Sequence, residues 1–418
     1  PDQNRRPDAV APPRRPCATP CAATETSGMQ RPEHAAQEGL DMAKPAVARA
    51  ASKPTCVLAL QGGGALGAYH IGAYEALAEH GFEPDWLSGI SIGAINAAIL
   101  AGNPPARRLE RLEQLWEMIS WPELLPHFGG LSLDIWHNRM SNLRALLAGQ
   151  PNFFRPRSLN PFLATAVPPT EASFYDTGPM LETLRALVDF NLVNHGPVRL
   201  TLGATDVETG EVVYFDSKDS PHPIGPRHVM ASGSLPPGFP AVEIDGRYYW
   251  DGGCVSNSPA EAVVQDQPPG HTLIFMIDLW SASGKPPTTI DEVLWRAKEI
   301  QYASRGHLVA DALAMKATLR HAERRAAALA DGGPAAEAER QRRNNHRRLD
   351  VMHIIYHPGR SHIANSDAEF SRGSIRLRRD AGYRDMAELL AQCPWQRDGA
   401  ARAAAAAPPG GAVLHRVR

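Results

Sequence analysis

TCVLALQGGGALGAYHIGAYEALAEHG (55–81) and the stretch that soon follows it, DWLSGISIGAINAAILAG (85–102), carry the same pattern twice. A short apolar run ends in a glycine-rich turn, and a helical spacing begins. TCVLALQ (55–61) suits a parallel strand buried on both faces. Behind it, Leu66, Tyr69, Ile71, Tyr74 and Leu77 roughly follow helical spacing, and Gly81 supplies a stop. WLSGI (86–90) reads as a second strand and IGAINAAILAG as a second helix. Strand, turn, helix, repeated, is the grammar of an α/β layered sheet. Right-handed crossovers place both glycine turns on the carboxyl edge of that sheet.

Outward from this core, VRLTLGATDVETGEVVYFDS (198–217) reads as two strands around the turn ETG, and AVEIDGRYYWDGG (241–253) as a second hairpin turning at Asp245 and Gly246. TLIFMIDLW (272–280) is a further buried strand. From Thr289 the spacing turns helical to about 329, a strand follows in VMHIIYH (351–357), and a last helix spans 374–392. Between 296 and 348, Lys and Arg outnumber Asp and Glu two to one, a locally basic arm. Residues 1–53 are rich in Pro, Ala, Arg and Thr, too poor in apolar residues to offset the entropy of ordering, and are expected to be disordered. The same is expected of 398–418. The body then divides into a catalytic domain over 54–288 and a mainly helical extension over 289–397.

The 418 residues are 43% hydrophobic, enough for a sizeable core. A net charge of −2 excludes a globally basic nucleic-acid binder, and no apolar run reaches the roughly 18 residues of a membrane span. The five cysteines (Cys17, Cys21, Cys56, Cys254 and Cys393) are scattered, unlike a disulfide framework or a zinc ligand set. With no apolar stretch after the first arginines to make a secretory signal, a cytoplasmic location is expected, and neither metal nor cofactor.

GISIG (89–93) fits GxSxG, in which a strand turns sharply into a helix with the serine at its apex. Gly89 and Gly93 leave room for that turn, and the helix N-terminus favours developing negative charge. QGGGALG (61–67) exposes the backbone N–H groups of Gly62, Gly63 and Gly64 at a helix start, as an oxyanion hole requires. Phosphate cradling is the competing use of such a turn, but there is no GxxxxGK[ST] and no lysine near it. A serine also needs a base. Asp206, Asp251 and Asp278 stand near strand ends, and Asp251 is the foremost candidate because Gly252 and Gly253 after it allow a close approach. A plain Asp-Gly turn is the alternative there.

GGGALG, GISIG and DGG in this order resemble the patatin-like lipid acyl hydrolases of the phospholipase A type. ATDVETGEVVYFD (204–216), MASGSLPPGFPAV (230–242) and DGGCVSNSP, with Asn257 and Pro259, extend the likeness over about 60–260. The resemblance implies a three-layer α/β fold with a mostly parallel sheet and helices on both faces. It also implies a Ser91–Asp251 dyad without histidine, an oxyanion hole from Gly62, Gly63 and Gly64, and a lipid ester as substrate. The segment after 289 resembles the C-terminal extension of a bacterial branch. The first turn departs from the DGGGxRG of many relatives: Gln61 replaces the acid and Leu66 the basic residue.

Two other readings compete. An α/β-hydrolase triad needs a late histidine, for which His353, His357 and His362 are the candidates; His70 reads as an ordinary core residue. A non-catalytic adaptor could meet a membrane or a partner through basic clusters such as RRNNHRR (342–348), and peripheral membrane contact is possible for an enzyme as well. The Pro- and aromatic-rich insertion at 110–180, with Trp116, Trp121 and Trp136, is the candidate lid or acyl channel.

Overall fold

The computed structural model describes residues 53–121, 131–158, 166–218, 222–266, 270–304, 349–358, 365–393 and 412–416, with isolated positions between them. Strand β1 (Thr55–Leu60) passes through the glycine turn and a 3-10 turn into helix α1 (Tyr69–Glu79). Strand β2 (Trp86–Ile90) turns at Ser91 into α2 (Ile92–Ala101). Between α2 and β5 lie α3 (Pro105–Met118), α4 (Leu131–Ala148), the short pair β3 (Arg155–Pro156) and β4 (Tyr175–Asp176), α5 (Gly178–Leu187) and α6 (Phe190–His195). There follow β5 (Arg199–Asp206), β6 (Val212–Asp216), α7 (Pro226–Ser232), β7 (Val242–Ile244), β8 (Arg247–Asp251) and α8 (Glu261–Gln265). The chain ends with β9 (Thr272–Asp278), α9 (Ile290–Tyr302), β10 (Leu349–Ile355), α10 (Arg372–Gln392) and β11 (Ala412–Arg416).

Among the described residues nine strands form one sheet in the order β11-β10-β9-β1-β2-β5-β8-β7, with β6 paired to β5. From β11 across to β5 every neighbour is parallel; β6, β7 and β8 run antiparallel. The apolar runs of β1 and β9 need cover on both faces, and they have it. Leu58 and Leu60 point into the large core with α1, α2 and α10, while Val57 and Ala59 point to the opposite side, against Ala260 and Val263. Both expected hairpins form, and Asp245 and Gly246 adopt the positive φ values (50° and 79°) of a tight hairpin turn.

The parallel register sets Leu60 beside Gly89, so the two glycine turns leave the sheet side by side at its carboxyl edge. On the covered face, α10 crosses α1 at two glycines. A Cβ on Gly72 would meet the Arg379 carbonyl, and one on Gly382 the Tyr69 carbonyl, so the backbones touch where they cross.

The expected N-terminal arm lies outside the described residues. The tail expected to be disordered from 398 differs at 412–416, where β11 extends the sheet beside β10. Its run AVLHR is short enough to be hidden by the Pro-Gly composition around it. Within the extension after 289, the strand expected at 351–357 forms as β10. Cys56 and Cys254 are free thiols, whereas Cys393 is disulfide-bonded, which their scattered positions did not suggest.

Candidate active site

Ser91 closes β2 and caps α2 with φ of 57° and ψ of −128°, a conformation that a side chain adopts only under constraint. The constraint is visible. Its N–H donates to the Ser232 carbonyl at 3.0 Å and to Ser232 Oγ at 3.1 Å. The backbone can fold this tightly because a Cβ on Gly89 would meet the Gly93 carbonyl at 2.5 Å, and one on Gly93 would strike the Leu60 carbonyl. Gly62 is as close on the other side, where a Cβ would come within 2.7 Å of the Ser91 Cβ.

Asp251 ends β8 opposite Ala204 and is 2% exposed. Its Oδ1 accepts the Gly253 N–H at 2.7 Å, and its own N–H donates to the Ser234 carbonyl at 3.0 Å. Burial pushes the carboxyl up to about 7, an effect that the Ser91 hydroxyl and the Gly253 N–H partly offset. Gly252 lets the strand end approach β5, since a Cβ there would meet the Gly203 carbonyl at 2.7 Å.

Three of the expected donors line the same cavity as Ser91 and Asp251, but they are not equivalent. The Gly62 N–H is engaged by Asn257 Oδ1 at 3.0 Å. Among the described residues neither the Gly63 nor the Gly64 N–H has a hydrogen-bond partner. Gly64 has φ of 54° and is pressed beneath the Asp367 carbonyl, which only glycine permits.

The cavity holds about 330 Å³, and its walls are mainly apolar, with Ile92, Ile95, Phe153, Phe154, Phe239 and Phe370 around the serine. A larger hollow of about 810 Å³ between Arg157, Glu171 and Phe174 contains neither Ser91 nor Asp251. The insertion does contribute walls, but through Ala145, Leu146, Phe153, Phe154 and Tyr175. Trp116 is instead a core residue bound to Asn96 Oδ1, and Trp121 lies beneath Arg144; neither lines the cavity.

The late histidines stay apart from Ser91. His353 Nε2 pairs with Asp278 Oδ2 at 2.7 Å, both buried, and β10 lies three strands from β2, about 14 Å at the usual spacing. His357 is exposed, and His362 lies outside the described residues, as do the basic clusters of 342–348. His70 is the expected core residue: it contacts Asn96 Nδ2 at 3.1 Å, and burial lowers it to about 3. Asp206 caps its own turn through Glu208 and Thr209. Among the described residues no group of three or more His, Cys, Asp and Glu could hold a metal ion, and no helix is long and apolar enough to cross a membrane.

Residues 58–264 match the family model for patatin-like phospholipases, and residues 300–401 match a second model described as a patatin phospholipase. The chain belongs to the patatin-like phospholipase family. Uncharacterized NTE family proteins of Mycobacterium bovis and Mycobacterium tuberculosis are 28% identical over 213 residues, 50% of this chain and 46% of theirs. The chain thus spans about half the length of these relatives. Among solved structures, VipD from Legionella pneumophila is similar with a TM-score of 0.37 and 16% identity, over 81% of this chain and 67% of that one. ExoU from Pseudomonas aeruginosa, in complex with SpcU, gives 0.29 and 18%, over 63% and 50%.

Sequence reasoning missed Asn257 as a working part of the glycine turn. It also missed the C-terminal residues Tyr302, Asp367 and Phe370 in the cavity wall, because no local motif announces a contact made across such separations.

Proposed function

We propose that this patatin-like chain is a serine hydrolase that cleaves carboxylic esters of lipids through Ser91 and Asp251. The observation that carries the reading is a buried Asp251, pushed up to about 7, beside a strained serine at the end of an apolar cavity. A carboxyl in that range is about half ionised at neutral pH, and its ionised form is basic enough to take a proton from a hydroxyl, which one at 3.8 does poorly.

In the first half-reaction, Ser91 Oγ attacks the ester carbonyl carbon while its proton passes to Asp251. The carbonyl oxygen gains charge and turns toward the N–H groups of Gly63 and Gly64, with the N-terminus of α2 adding a favourable dipole. Collapse expels the alcohol, protonated by Asp251, and leaves an acyl-Ser91. Water then repeats the cycle with Asp251 as base, freeing the fatty acid. The phenylalanines of the cavity suit an acyl chain, and their side chains exclude water from the acyl-enzyme.

Hydrolysis of nitrophenyl butyrate tests this reading. Ser91→Ala and Asp251→Asn are each expected to lose about 10⁴-fold in kcat with an unchanged circular dichroism spectrum. Wild-type activity in folded Ser91→Ala would overturn it.

A further inference from the structure

The glycine turn is held at both ends by side chains that belong to distant parts of the chain. At the front, Asn257 grips the Gly62 peptide on both sides: Oδ1 accepts its N–H and Nδ2 donates to its carbonyl, each at 3.0 Å. The Trp280 indole N–H adds a second donor to the Gly62 carbonyl at 2.8 Å. Asn257 Nδ2 also reaches the Tyr302 carbonyl at the end of α9, and so does Gln61 Nε2, both at 3.0 Å. Gln61 Oε1 meanwhile accepts the N–H groups of Leu279 and Trp280.

At the back stands Arg378 of α10, which is 3% exposed. Its Nη1 donates to the Ala65 carbonyl at 3.0 Å and to the Glu369 carbonyl at 2.7 Å, and its Nη2 to the Ser366 carbonyl at 2.9 Å. The buried Glu369 carboxylate lies 3.7 Å from Nη2 and balances the charge. Gly63 and Gly64, whose N–H groups have no partner among the described residues, lie between the Gly62 anchor and the Ala65 anchor. Residues 366–369, held by the same guanidinium, form the wall that presses on Gly64 through the Asp367 carbonyl. The crossing of α10 on α1, close because Gly72 and Gly382 carry no Cβ, sets where the arginine starts.

We infer that Arg378 is a positioning residue for the reaction: from the C-terminal segment it fixes the Gly63 and Gly64 N–H groups at the spacing a tetrahedral oxyanion needs. This rests on the hydrolase reading given above. A buried guanidinium bonded to three carbonyls is rigid, and one misplaced by about 1 Å can cost about 100-fold in rate. The effect should appear in the transition state, where the oxyanion forms, and not in substrate binding.

The test compares wild type, Arg378→Met, Arg378→Lys and Ser91→Ala on nitrophenyl butyrate and on its thiono analogue, in which C=S replaces C=O. Sulfur is larger and a weaker acceptor, so a hole built for oxygen discriminates against it. Arg378→Met is expected to lose about 100-fold in kcat with KM within about twofold, and its oxo-to-thiono rate ratio to fall about tenfold. Arg378→Lys keeps the charge opposite Glu369 but cannot fork to three carbonyls, so it should fold and lose about tenfold in kcat with the same drop in ratio. It carries the test if Arg378→Met does not fold. Unchanged kcat in the lysine variant, or equal losses on both esters, would overturn the inference and leave Arg378 a structural residue only. Activity in Ser91→Ala would instead sink the hydrolase reading, whatever the arginine variants do.

Discussion

Asp251 is an acid whose burial works against its own charge, and that conflict has two measurable consequences. As a base it must be ionised, and burial raises it from 3.8 to about 7. Below that pH the neutral form dominates, so kcat/KM for an uncharged ester should fall about tenfold per pH unit on the acid side of 7. A limb centred near 4 would contradict the assignment. The second consequence concerns stability. Because the folded value lies above the unfolded one, the carboxyl is tolerated best at low pH and costs stability as pH rises through 7. Asp251→Asn should therefore be more stable than wild type at pH 8, by on the order of 1–3 kcal/mol in a denaturant titration, while inactive. A variant less stable at pH 8 would argue against a strained carboxylate. Ser91 and Asp251 were legible from the sequence because GxSxG and DGG are local patterns with a strand before them. The engagement of the Gly62 N–H was not legible: an asparagine 195 positions away competes for it, and neither residue betrays the other in sequence.

At the scale of elements, the order of strands and helices is readable because parallel strands buried on both faces are nearly continuous apolar runs, and β1 and β2 each meet a glycine turn. The crossing of α1 and α10 is not, since a glycine inside a helical pattern reads only as a weak helix former. Gly72 and Gly382 take their meaning from the partner helix, whose backbone occupies the space a Cβ would need. Around the crossing, Tyr69 Oη donates to Asp385 at 2.7 Å and Arg379 pairs with Glu75 at 3.0 Å, so side-chain bonds also tie the two helices together. Gly382→Val should separate them and cost about 3 kcal/mol of unfolding free energy, read as a lowered denaturant midpoint. It should also reduce kcat, since Arg378 rides on the same helix. A midpoint equal to wild type would show that the helices can part freely.

At the scale of the whole molecule, the sheet gathers the two halves of the chain around one edge. β10 and β11 come from beyond 300 yet lie in the same sheet as β1 and β2, and the loop before α10 closes the cavity. The sequence shows the strand at 351–357 that forms as β10, but its composition conceals how many buried contacts this segment makes. The same topology separates His353 from the serine, joining it to Asp278 at the β9–β10 side. His353→Gln should consequently keep kcat within about threefold of wild type while losing about 1–3 kcal/mol of stability, because Asp278 loses its imidazole partner and keeps the Ser304 hydroxyl. A dead but folded His353→Gln would favour a histidine triad.

The most direct test of the Ser91–Asp251 account is the site at which a fluorophosphonate bonds to the protein. After brief exposure of wild type at pH 8, peptide mapping by mass spectrometry should find one phosphonyl group, carried by Ser91, with labelling abolished in Ser91→Ala and strongly slowed in Asp251→Asn. Labelling of a different residue, or unchanged labelling of the Ser91→Ala protein, would contradict the account.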